Sequence, residues 1–127
     1  MADPSERLKD AEDDIASMRM LLQGRHPKHA RFHAQQSVEK AFKAILLARQ
    51  QTVPRTHDLV DLLSRVRTAM PAFPDHLRAA TTLGRYYGLL RYPDSRPPSW
   101  VPPSQAEAEE TARWAEAIVA DVGVRPP

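Results

Sequence analysis

The sequence has no cysteine among its 127 residues. Disulfides, thiolate metal sites and thiol nucleophiles are therefore excluded, and any chemistry rests on histidines, carboxylates, hydroxyls and bases. It also lacks a long apolar run. Ala44 to Ala48 is the longest, far short of the ~20 residues that cross a bilayer. Met1 to Ser5 leads into charged residues and not into a signal-peptide core, so no membrane association and a cytoplasmic location are expected. No window alternates with a period of two, so no sheet is expected. What is present is globular in character, with 42% hydrophobic and 27% charged residues, and the length suits one domain over residues 1–127.

The formal net charge is only +2, but the charges are segregated. Residues 1–24 carry 3 basic and 6 acidic side chains, residues 25–100 carry 13 and 5, and residues 101–127 carry 2 and 5. A basic middle between acidic ends fits a surface for a phosphate-rich partner, and it also fits complementarity between the helices themselves.

Leu8, Ala11, Ile15, Met18 and Leu22 recur at steps of three and four, which predicts an amphipathic helix over residues 4–23. Asp3 caps it and Gly24 ends it. Lys28 to Gln50, free of Gly and Pro, predicts a helix of about 35 Å at 1.5 Å per residue, with Phe32, Val38, Phe42, Ile45 and Leu46 buried. A third begins at His57 or Asp58 and closes at the prolines of residues 70–74. A fourth runs from an Asp75 cap to about Leu90, with Leu77, Ala80, Tyr87 and Leu90 inward; Gly84 and Gly88 weaken it but permit close approach of another backbone. The Pro-rich stretch 93–103 is expected to be an extended loop between the last two helices. Ser104-x-x-Glu107 is a capping box for the final helix. The expected fold is all-α, an antiparallel bundle of about five helices.

Four constellations carry candidate chemistry. His26, His29 and His33 have ligand-like spacing, but Arg25, Lys28 and Arg31 surround them with positive charge and no carboxylate joins them, so solvated histidines and no metal site are expected. Gln36, Glu39, Lys40 and Lys43 fall near one helix face, with Glu39 and Lys43 in the favourable i, i+4 order; this is either a solvated ion pair or a polar face that positions a phosphate or base. His57 beside Asp58 at a helix start is either tuned for proton transfer or a capping residue. Arg91, Tyr92 and Asp94 follow Arg85, Tyr86 and Tyr87, an interleaving of arginines and aromatics that suits nucleotide or nucleic-acid binding, unless Arg91 and Asp94 form a structural staple.

Taken together, the A-Q-Q-S-V-E-K-A-F-K run, the R-T-H-D-L-V-D-L-L run at residues 55–63 and L-R-Y-P-D at residues 90–94 resemble the HEPN domain family. The resemblance implies a helical bundle that forms homodimers and is often encoded beside a minimal nucleotidyltransferase, as in toxin–antitoxin pairs. Many relatives are metal-independent ribonucleases that use an Arg followed, after four to six residues, by a His. Arg91 stands at the matching Arg position, but Tyr92 to Gln105 contains no His, and that motif is absent. The resemblance thus implies a binding module for nucleotide or RNA, without a cofactor. The binding residues are expected to be Gln36, Glu39, Lys40, Lys43, His57, Arg91, Tyr92 and Asp94. The alternative is an endoribonuclease in which His57 acts with Arg91 as the catalytic pair.

Overall fold

A computed structural model describes residues 3–124. It contains α1 (Pro4–Gln23), α2 (Pro27–Ala48), α3 (Leu59–Ala69), α4 (Leu77–Gly84), α5 (Tyr87–Arg91) and α6 (Gln105–Val124), with a 3-10 turn at Pro93–Ser95. The described residues form an all-α bundle with no strand. Helix α2 is its axis, since every other helix packs against it.

Local chemistry sets the ends. Asp3 accepts the Glu6 amide at 2.8 Å at the start of α1. Asp58 accepts the amides of Val60 and Asp61 at 3.0 and 3.2 Å at the start of α3. Ser104 and Glu107 form the expected capping box reciprocally, at 3.1 and 3.2 Å. Helices α1 and α2 end alike. His26 N–H reaches the Leu21 carbonyl and Arg25 N–H the Leu22 carbonyl, and Gln51 and Gln50 repeat the pattern on Leu46 and Leu47. Such a Schellman end places one residue in the left-handed region, usually glycine. Here those residues are Arg25 (φ 61°) and Gln50 (φ 58°), while Gly24 keeps an ordinary φ of −80°.

The fourth expected helix is broken in two. A continuous helix would send the Tyr86 N–H to the carbonyl of Thr82; that carbonyl instead accepts the guanidinium of Arg31 at 2.6 Å. Tyr86 leaves helical geometry (φ −103°, ψ 9°), and α5 restarts after it. Gly84 lets α4 settle on α3, with the Leu59 side chain 3.6 Å from where a Cβ would stand, whereas nothing approaches Gly88.

The core is built from Met18, Val38, Phe42, Ile45, Leu46, Leu59, Leu62, Leu83 and Ile118. Phe73, in the proline-flanked turn after α3, joins it edge-on to Phe42 at 6.1 Å between ring centroids. Three inward assignments differ from expectation. Leu77 is exposed because it opens an eight-residue helix whose inner face is carried by Ala79, Ala80 and Leu83. Phe32 is only half-buried, its place on α2 being taken by Ala30, Ala34 and Gln35, and Tyr87 is half-buried in the site described below. The Pro-rich loop is not wholly extended. Its 3-10 turn is followed by Arg96, which donates to the Leu89 carbonyl at 2.6 Å and lies 4.2 Å over the Trp100 ring. No helix among the described residues is long and apolar enough to cross a membrane.

Candidate functional site

A polar stripe runs along α2 at steps of four, beneath the α4–α5 junction: Arg31, Gln35, Glu39 and Lys43. Residues four apart share a helix face, and the first three of these are buried. Gln35 Nε2 donates to Glu39 Oε1 at 3.2 Å, and Gln36 Nε2 donates to Gln35 Oε1 at 2.7 Å. Lys43 Nζ donates to Glu39 Oε2 at 3.1 Å, the expected ion pair, with Lys43 itself mostly covered.

The same carboxylate reaches out of α2. His57 Nδ1 lies 3.0 and 3.2 Å from the two oxygens of Glu39. With Nδ1–H donating there, Nε2 is left to face outward. The His57 ring stacks on Tyr87, with centroids 4.4 Å apart and planes 16° from parallel. Arg91 donates to the Tyr87 hydroxyl at 2.7 Å and also lies 5.5 Å over the Tyr92 ring. The Tyr87 hydrogen bond first, and then the nearby Tyr87 and Tyr92 phenols, raise the Arg91 guanidinium above its ordinary range, so it remains a cation. Tyr87 thus joins His57 to Arg91, and the exposed Arg91 closes a row that begins at a buried carboxylate. An open groove of about 500 Å³ adjoins the row, lined by His57, Ala80, Gly84, Arg85 and Tyr87 among others.

Six of the eight expected binding residues fall in or beside this row: Gln36, Glu39, Lys43, His57, Arg91 and Tyr92. Lys40 does not join them. Its Nζ donates to Asp14 Oδ2 of α1 at 2.6 Å, because a step of one from Glu39 turns it toward a different neighbour. Asp94 is exposed on the 3-10 turn, and the Arg91–Asp94 staple is not formed; Arg91 turns back to Tyr87, one helical turn earlier. His33 Nδ1 lies 2.8 Å from Asp14 Oδ1, a carboxylate from another helix that the sequence spacing did not reveal. His26 and His29 are exposed, and no group of three or more potential metal ligands occurs among the described residues. Gln35 and the buried Arg31 were the parts that motif spacing missed, and the step-of-four recurrence of polar residues along α2 was the available signal; Tyr87 stood among the interleaved arginines and aromatics, but its link between His57 and Arg91 was not foreseen.

The described residues form a small all-helical domain that brings charged and aromatic groups together at a break between two helices. The sequence matches the HEPN domain over residues 5–124, and the chain belongs to that family. Its backbone is similar to the crystal structure of TT1696 from Thermus thermophilus, with a TM-score of 0.82 and 31% identity over 99% of this chain and 100% of that one. It is also similar to ST0689, an archaeal HEPN homologue, with a TM-score of 0.74 and 28% identity over 98% of each chain. No curated protein matches the sequence.

Proposed function

We propose that the His57–Tyr87–Arg91 row is a binding surface for single-stranded RNA or a nucleotide. The observation that carries this reading is Tyr87. It is an aromatic plane already stacked by His57 and hydrogen-bonded by Arg91, so stacking and phosphate-directed charge occur side by side. The concentration of basic residues between positions 25 and 100 supports it. Family membership extends the reading to a homodimer working beside a nucleotidyltransferase, as in toxin–antitoxin pairs.

One observation favours a second reading, a metal-independent endoribonuclease. Glu39 orients His57 as a carboxylate orients a general base, and Arg91 stands on the far side of Tyr87 to stabilise charge. A single assay separates the two. Labelled single-stranded RNA is incubated with the protein in EDTA over a salt series, with Arg91→Ala and His57→Ala in parallel. Binding that weakens steeply with salt, without cleavage, and weakens further in both variants is the expected result. Cleavage by the parent, lost in both variants, replaces it with the nuclease reading.

A further inference from the structure

A second cavity, of about 220 Å³, lies across Arg85 from the groove, between α2, the α4–α5 junction, the end of the Pro-rich loop and the start of α6. Arg85 lines both. The floor is Arg31, 2% exposed. It forms no ion pair among the described residues, its Nε has no hydrogen-bond partner, and one nitrogen is spent on the Thr82 carbonyl. Burial pushes this guanidinium below its ordinary value, against the opposing influence of Tyr86 and Glu107. A buried cation without an ion-pair partner, and with one N–H unsatisfied, is costly and usually has a reason.

The other walls define what would complete it. Tyr86 supplies an aromatic ring, with the Arg31 guanidinium 4.9 Å from its centroid. Glu107 and Glu110 line the α6 side; Glu107 is engaged by the capping box, and Glu110 is exposed. Two arginines and two glutamates around one cavity disfavour a bare phosphate, which the carboxylates would repel. They suit a flat, neutral group with acceptors on one edge and donors on another. Guanine has that form: O6 and N7 accept from arginine, while N1–H and the 2-amino group donate to a carboxylate. Adenine offers an amino donor where arginine needs an acceptor.

We infer that this cavity is a guanine pocket, giving the RNA surface a preference for a guanine next to the nucleotide stacked at Tyr87. The inference rests on the RNA-binding reading above. It deepens that reading by placing one base in the cavity, with Arg85 serving the phosphate between the two positions.

The test measures binding of the full chain to four single-stranded RNA hexamers of identical length. Each carries G, A, C or U at one central position of an otherwise all-uridine strand. The expected result is about tenfold tighter binding of the G hexamer, the discrimination of one good bidentate contact. Glu110→Gln, on the exposed face of α6, should remove that preference, so that the G and A hexamers bind alike. Equal binding of all four, or a preference for another base, overturns the pocket while leaving the RNA surface standing. Failure of every hexamer to bind at low salt removes the RNA-binding reading, and the pocket with it. A guanine preference that survives in Glu110→Gln also overturns the assignment, because the carboxylate would not be reading the base.

Discussion

Glu39 and His57, eighteen residues apart, are held 3.0 Å apart by carboxylate and imidazole, and that single contact ties the buried stripe of α2 to the start of α3. Glu39 is 6% exposed and also holds Lys43, so its negative charge is shared between two groups that the chain brings from different segments.

Replacing this carboxylate should therefore be felt in stability before function. Glu39→Gln leaves Lys43 as a largely covered ammonium without its counter-charge, and a loss of about 3 kcal/mol is expected, as for breaking a buried pair from one side. Urea denaturation reads it. Adding Lys43→Met to Glu39→Gln should recover part of the loss, since the stranded charge is then gone. A second substitution that only deepens the loss would show that the ion pair is not the cause.

The helix ends offer an opposite expectation. Gln50 adopts a φ of 58° with a side chain that gains nothing from it, and a left-handed residue with a Cβ costs about 1 kcal/mol more than glycine there. Gln50→Gly should raise the thermal midpoint measurably. Gly24→Ala, at an ordinary φ, should not repeat that gain.

The first turn of α1 predicts a pH effect. The Glu6 amide first, and then the Ser5 hydroxyl, hold the Asp3 carboxyl below its ordinary value of 3.8. A depressed acid stabilises the folded form fully above that ordinary value, and the contribution fades as pH falls through the lower folded value. Exchange of the Glu6 amide should accelerate on acidification through that window relative to reference amides in mid-helix. Asp3→Asn should flatten the difference.

Most of the architecture was legible from periodicity and caps, because Ile15, Met18, Phe42, Leu62 and Ile118 recur at helical steps and Asp3, Asp58 and Ser104 carry their own signals. What escaped has a common cause. The break before Tyr87 depends on Arg31 taking a carbonyl fifty-one residues away, and no local pattern encodes that. Phe73 sits among prolines and reads as loop, yet it is 1% exposed because the turn folds back onto Phe42. The site was legible as residue types but not as a map. Glu39, Lys43, His57 and Arg91 were visible separately, while Tyr87 read as an inward residue and as one of several aromatics near Arg91, not as the ring that brings His57 and Arg91 together.

Arg96 gives the Pro-rich segment a property that its composition alone would not. Pinned to the Leu89 carbonyl and laid over Trp100, it sets the approach to Val101 and Pro103, two of the residues that wall the cavity. If the proposed guanine docks there, it meets walls that Arg96 already holds, and little of the entropy of ordering this segment is left to be lost on binding.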